Sequence, residues 1–347
     1  MIRSRRDFIK KISLGTAFLS INSNNFLKNI TEAPPISSKS TVSFAYGQDR
    51  RKLIYQILEP FEKKIRQDIK GKQIIIKPNC VWDGIELCAT HSEAIRGVLD
   101  FLKPFYKETV VIAESTASPA GTMKCFEDYG YTKLPKEYDV KLIDFNQGTY
   151  SVEWILGKNR HPIDIKIIDT FLNPNNYIIS LARMKTHDGV VCTLALKNMI
   201  MASPINVPKN NPDFVVNQYE KNKMHQGGTK GINYNIFLMA HKVKPKLAII
   251  DGFVGMEGNG PNRGTPVEHN VALASFDVIS VDRIGIELMG INYDDVGYLN
   301  WCSNDKLGQG DIQMIEVIGS DYKKHIKKYK LANNIEQQLK WKDKSES

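Results

Sequence analysis

The chain has 347 residues, enough for one large domain or two small ones. Its 42% hydrophobic and 24% charged residues exclude wholesale disorder. The formal net charge of +9 points at first to a nucleic-acid partner, but residues 1–30 hold +5 of it and residues 320–347 hold +4, which leaves 31–319 neutral. A neutral body has no broad electrostatic footprint for a phosphate backbone, so no nucleic-acid partner is expected.

The first 30 residues read as an export segment. Arg3, Arg5, Arg6, Lys10 and Lys11 precede a short, weakly apolar stretch from Ile12 to Ile21, too short to span a bilayer. Ser4-Arg5-Arg6-Asp7-Phe8-Ile9-Lys10 resembles a twin-arginine signal, with Ile where Leu is more usual. The competing reading is a basic amphipathic helix. The signal reading places cleavage within about residues 22–40 and makes 31–50 a linker. It names the twin-arginine export machinery as a partner and a periplasmic or otherwise exported location. Passengers of that route cross folded, often around a cofactor, which raises the expectation of a metal or redox group without naming one. No later run approaches the ~20 apolar residues of a membrane helix, so no stable membrane insertion of the mature chain is expected.

From residue 51 to 319 the pattern alternates. Gln73–Lys77, Thr109–Ala113, Tyr177–Leu181 and Lys246–Ile250 are near-continuous apolar runs of strand length, suited to strands buried on both faces. Residues 51–69, 92–106, 193–202, 232–242 and 277–289 place apolar groups at helical spacing. The fold class this predicts is a single α/β domain with a mixed, largely parallel sheet, helices on both faces and a small antiparallel insertion over 138–168. Residues 203–231, rich in Pro, Asn, Gly and Lys, read as a long loop. The Lys-rich 320–347 segment reads as a solvated helix with a frayed end. The five cysteines (Cys80, Cys88, Cys125, Cys192 and Cys302) form no C-x-x-C pair, so no iron–sulfur or zinc motif is present. Most read as buried free thiols, with a Cys80–Cys88 disulfide as the alternative.

Each buried strand ends in polar residues. Lys77-Pro78-Asn79 follows the first, Glu114-Ser115-Thr116 the second, Arg183 to Gly189 the third and Asp251-Gly252 the fourth. Carboxyl ends of parallel strands share one edge, where ligands bind in open α/β sheets, so one convergent site is expected. Lys185 and His187 leave a strand, and Lys197 and Asn198 sit on the helix that follows. A lysine beside a histidine can supply acid/base chemistry. The plain alternative has Lys185 reaching solvent, His187 satisfying backbone groups, and Lys197 and Asn198 decorating a helix. The segment Gly255-x-x-Gly258-x-Gly260-x-x-x-Gly264 misses the dinucleotide fingerprint by one residue and lacks a G-K-[ST] ending. It could form an anion-binding backbone nest or present Glu257 and Asn259. Asp277 suits a helix cap, and Asp282 lies one turn further in. Neither H-E-x-x-H nor G-x-S-x-G occurs.

Taken together, Lys77-Pro78-Asn79, Arg183-Met-Lys185-Thr-His187, Thr193-Leu-Ala-Leu-Lys197-Asn198-Met199, Asp251-Gly252, Met256-Glu257-Gly258-Asn259-Gly260-Pro261 and Asp277–Gly290 resemble the family catalogued as domain of unknown function 362, over roughly residues 72–319. The resemblance carries no activity with it. It implies that Lys77, Asn79, Lys185, His187, Lys197, Asn198, Asp251, Glu257, Gly258, Gly260 and Asp282 are motif positions. Some members carry ferredoxin-like cysteine clusters, which this chain lacks. The expectation is an exported enzyme of a small anionic substrate. Lys185, His187 and Lys197 are its catalytic candidates, and Lys77, Asn79, Asn198, Gly258 and Gly260 its substrate-binding ones. Asp251, Glu257 and Asp282 are candidate ligands of a divalent metal, and the chemistry is acid/base or redox at a carbon centre. The alternative expectation is a non-catalytic periplasmic ligand-binding or electron-transfer accessory protein.

Overall fold

The computed structural model describes residues 39–206 and 219–343. The export segment therefore lies outside the described residues.

Eleven strands are described: β1 (Ser40–Tyr46), β2 (Gln73–Pro78), β3 (Val110–Glu114), β4 (Val140–Asp144), β5 (Tyr150–Leu156), β6 (Pro162–Ile168), β7 (Asn176–His187), β8 (Val191–Thr193), β9 (Leu247–Asn259), β10 (Arg263–Ser275) and β11 (Ile315–Gly319). The main sheet runs β11-β1-β10-β9-β7-β2-β3-β4, with β8 attached to β7. The four neighbours β9, β7, β2 and β3 are parallel, as is β4 beside β3. Antiparallel pairing joins β9 to β10 and β10 to β1. The fold is thus α/β with a mixed, largely parallel sheet, and β5 and β6 form a separate antiparallel pair.

Alternate residues of each central strand feed two apolar layers. Ile75, Ile178, Ala248 and Ile250 pack with Met199, Ile236 and Ile284 from helices Ala195–Ala202, Gly228–Ala240 and Val278–Leu288. Ile74, Ile76, Ile179 and Ile249 pack on the other face with Ile54, Val98 and Phe126 from helices Arg50–Leu58, Ser92–Leu102 and Thr122–Asp128. A strand buried on both faces has no reason to alternate polar and apolar residues, which is why these four runs are so uniform. Asp277 caps its helix as expected, accepting from the amides of Ile279 and Ser280.

Four expectations need correction. The 31–50 linker contains β1, which lies inside the sheet between β10 and β11 with Val42 and Phe44 buried. Its small residues, Ser40, Thr41, Ser43 and Ala45, hide it in the sequence. Within 138–168 only β5 and β6 are antiparallel; β4 extends the parallel sheet. Inside the expected 203–231 loop, Glu220–Lys223 is helical and the next helix begins at Gly228.

The fourth correction concerns the Lys-rich end. Residues 326–342 are not one solvated helix but a strap laid across the domain, helical only over Ile335–Leu339 and Lys340–Lys342. Tyr329, Ala332 and Gln338 are buried. The Lys330 amide donates to Glu257 Oε2 at 2.9 Å, and its carbonyl accepts from the Gly258 amide at 2.7 Å. Asn334 Nδ2 donates to the Asp188 carbonyl, and Trp341 packs against Trp301. The lysines project outward while the apolar and amide residues between them anchor the strap, a division that a net-charge reading blurs.

Gln338 also holds a strained residue. Val191 is β-branched at a φ of 68°, a region such side chains rarely occupy. Its buried amide donates to Gln338 Oε1 at 2.6 Å. Gln338→Ala strands that amide, so denaturant unfolding should show a loss of about 1–3 kcal/mol; an unchanged midpoint would show that the strap contributes nothing there.

Candidate functional site

The four polar strand ends do converge, because β9, β7, β2 and β3 are consecutive and parallel. At their centre is a buried polar chain. Lys77 Nζ donates to Glu114 Oε2 at 2.7 Å, to the Pro78 carbonyl at 2.7 Å and to Asn198 Oδ1 at 2.6 Å. Asn198 Oδ1 also accepts from Asn79 Nδ2 at 3.1 Å, while its own Nδ2 donates to Ser180 Oγ at 3.0 Å. That fixes the amide of Asn79, whose Oδ1 accepts from Lys185 Nζ at 2.5 Å. Lys185 does not reach solvent: it is fully buried, and its other acceptor is the Cys88 carbonyl at 3.4 Å.

Of the site lysines, Lys77 alone has a carboxylate in hydrogen-bond contact among the described residues, while Asp188 acts on Lys197 from a distance. Burial pulls the Lys77 pKa down while Glu114 pulls it up. Lys185 has no such contact, and burial lowers it to about 7, helped by Lys197, Arg183 and Lys77. Lys197, one helical turn from Thr193, donates to Thr193 Oγ1 at 3.3 Å and is lowered to about 8 by burial.

Both His187 and His225 feel the positive charge of Lys197. The His187 Nδ1 accepts from the Gly189 amide at 2.8 Å, so its proton sits on Nε2 and the ring is a donor there. Burial, then Lys197, hold it well below the usual histidine pKa. Asp188 lies 3.4 Å from the same Nδ1, but a ring whose Nδ1 accepts an amide proton forms no ion pair with it. The Asp188 carboxyl is raised by burial. His225 sits at the exposed side with Nδ1 on the Lys221 carbonyl at 3.0 Å, which leaves its Nε2 as an acceptor. Protein around the ring, then Lys197, lower its pKa. The two neutral histidines therefore differ in polarity, His187 offering a donor at Nε2 and His225 an acceptor.

Neither His225 nor Lys221 is legible in the sequence as a site residue, because both lie in the stretch that reads as loop. Lys221 is buried and donates to Ser115 Oγ at 2.8 Å and to the carbonyls of Met201, Ala202 and Pro204 at 3.0, 3.3 and 2.9 Å. It closes the end of helix Ala195–Ala202, where a cation meets exposed carbonyls.

The metal candidates do not meet. Asp282 is buried and accepts from the amides of Ala195 and Leu196 at 2.8 and 3.0 Å, capping the helix that carries Lys197. Asp251 takes Arg50 Nε at 3.3 Å and the Phe253 amide at 3.1 Å. Glu257 holds the strap at Lys330. Among the described residues, no three His, Cys, Asp or Glu side chains are grouped to hold a metal ion. All five cysteines are free and buried.

The glycine segment is not a phosphate cradle either. Gly258 and Gly260 form the end of the β9–β10 pair, and their amides are already used, Gly258 on the Lys330 carbonyl and Gly260 on the Gly258 carbonyl at 2.9 Å. A Cβ on Gly260 would meet the Thr186 carbonyl oxygen at 2.1 Å, so glycine is needed there for close backbone approach to β7. The site thus unites Lys77, Asn79, Asn198, Lys185, His187 and Lys197, and it leaves out Glu257, Gly258, Gly260 and Asp282.

The buried amines set a pH dependence. Lys185, Lys197 and Lys221 titrate at about 7, 8 and 7 in the folded chain, against about 10.4 when unfolded. Between about 7 and 8.5 the unfolded chain binds more protons through these lysines, so stability rises with pH over that window; above it the buried thiols of Cys80, Cys192 and Cys302, whose pKa burial raises, oppose the rise. Urea unfolding in anion-free buffer should show that slope, and Lys185→Met should flatten it; an identical slope in the variant would mean Lys185 is charged in the folded state.

A family model described as "Domain of unknown function (DUF362)" matches residues 74–287, more than half of the chain, and the chain belongs to that family. A thylakoid-associated protein of Synechocystis sp. is 24% identical over 233 residues, covering 64% of each protein, so the match spans a little under two thirds of that relative. A crystal structure of a Thermotoga maritima protein aligns at a TM-score of 0.34 and 12% identity, over 67% of this chain and 57% of that one.

Proposed function

We propose that this member of the family is an exported enzyme that binds a small anion at the strand ends and moves a proton on it through Lys197. The observation that carries the reading is a pair of buried amines: Lys185, with no carboxylate in hydrogen-bond contact among the described residues, and Lys197, which only the partly exposed Asp188 carboxyl offsets at a distance. An uncompensated ammonium in the interior costs several kcal/mol, so the amine either sheds its proton or takes an anion. Both outcomes suit catalysis: the anion restores charge balance, and a lysine held near neutrality can give and take a proton.

The roles follow from hydrogen-bond polarity. Lys185 stays fixed by Asn79 and supplies positive potential. His187 donates from Nε2 to the bound anion. Lys197, with one hydroxyl partner, exchanges a proton with the ligand, and His225 Nε2 accepts at the open side. Ligand exchange would pass the exposed His225 side.

Replacing Lys197 with Met, or His187 with Ala, should lower anion affinity or turnover about 100-fold while leaving the melting temperature within a few degrees. Calorimetry against small carboxylates and phosphate, paired with thermal unfolding, checks this. Loss of fold with intact affinity in the surviving protein would make both residues structural. Tight binding without turnover of any ligand would favour the accessory binding protein, which shares this site.

Export rests on the Ser4–Lys10 motif. Among the described residues no helix is long and apolar enough to cross a membrane. Changing Arg5 and Arg6 together to Lys should leave the chain unprocessed in the cytoplasm, read by cell fractionation; unaltered export would remove the twin-arginine machinery from the account.

A further inference from the structure

Beside this site lies a second set of buried charges that the lysine–histidine chemistry does not use. Arg183 on β7 and Asp251 on β9 are register partners in adjacent parallel strands, and both are wholly buried. Arg183 Nη1 donates to the Glu86 carbonyl at 3.0 Å, but Nε and Nη2 have no hydrogen-bond partner among the described residues. Those two nitrogens share one edge of the guanidinium, the edge whose parallel N–H groups match two oxygens of an oxyanion. Asp251 uses Oδ1 for Arg50 and the Phe253 amide and leaves Oδ2 without a donor.

We infer that Arg183 and Asp251 form an oxyanion subsite for a ligand bearing a hydroxyl or amine next to its carboxylate or phosphate. Three features support that occupant. Arg50 and Arg183 both sit beside Asp251, and the other carboxylate that Arg183 feels, Glu86, is exposed and solvated, so the buried part of the cluster carries a net positive charge. His91, which caps helix Ser92–Leu102 through Nδ1, carries its proton on Nε2 and adds no charge when neutral. The orphaned atoms are a paired donor edge and one acceptor, which together fit an oxyanion with a neighbouring donor and not a bare anion. The Val81–Leu87 loop, which contacts Arg183 through the Glu86 carbonyl, is partly exposed.

The subsite adjoins the proposed one. Lys185 reaches the Cys88 carbonyl of the loop whose Glu86 carbonyl holds Arg183. It stands on different residues, however, so the two readings can fail separately.

The test is titration calorimetry of the purified full chain with lactate, acetate, glycerol 3-phosphate and inorganic phosphate. Lactate or glycerol 3-phosphate should bind about tenfold tighter than acetate or inorganic phosphate respectively, since only the former carry a hydroxyl for Asp251. The preferred member of the two separates a carboxylate from a phosphate ligand. Arg183→Lys keeps the charge but loses the two-pronged edge, and should weaken all four by about tenfold or more. Asp251→Asn should bring the lactate-to-acetate ratio toward one, and it decides the matter if the Arg183 variant does not fold. Binding lost in Lys197→Met but unchanged in Arg183→Lys would overturn the subsite and keep the lysine site. No binding by the wild-type chain at millimolar probe overturns the subsite, as does a ratio unaltered by Asp251→Asn.

Discussion

The ion pair between Lys77 and Glu114 is the constraint on which the polar edge depends. With both side chains almost wholly buried at 2.7 Å, removing one partner leaves the other uncompensated, a loss of roughly 3–5 kcal/mol. The pair also sets direction. Because Lys77 is a donor, Asn198 must turn its oxygen toward it; Asn79 must then offer its nitrogen to Asn198 and its oxygen to Lys185. One carboxylate on β3 therefore determines how a lysine on β7 is held, two strands away, through amides that could otherwise flip freely. The neutralising charge does not travel with the orientation, and Lys185 is placed firmly but left electrostatically unpaid.

The helix Ala195–Ala202 ties this edge to the opposite apolar layer. Its first amides rest on Asp282 from a neighbouring helix, and its last carbonyls rest on Lys221. Lys197 and Asn198 are thus mounted on an element pinned at both ends, by a carboxyl that accepts from its first amides and an amine that donates to its last carbonyls. A reacting amine on such a support keeps its position relative to His187 within the small tolerance that proton transfer demands.

Much of this was legible in the sequence because burial on both faces leaves a plain mark. The apolar runs of β2, β3, β7 and β9, and the polar residues ending them, followed from residue type alone, as did the convergence of the strand ends that carry Lys77, Asn79 and Lys185; Asn198 entered through the family resemblance. What escaped did so for identifiable reasons. Strand β1 is built from small residues whose burial comes from its neighbours, not from its own hydropathy. Asp282 and Lys221 are isolated charges whose partners are main-chain atoms of another segment, and no spacing rule relates them. Gly258 and Gly260 look like a ligand loop because glycines that admit a phosphate and glycines that admit a neighbouring strand are indistinguishable as letters. His225 is a lone histidine in a stretch without periodicity.

The position of β1 also bears on how the molecule comes into being. Both of its neighbours, β10 and β11, arrive more than 200 residues later, and the strap that satisfies Val191 comes later still. A growing chain can assemble β2, β3 and β4 from local crossovers, but its first strand must wait, unpaired, for nearly the whole sequence to emerge. A chain stopped before residue 315 lacks β11 and the strap, which leaves the outer edge of β1 unpaired and the Gly258 amide without its acceptor.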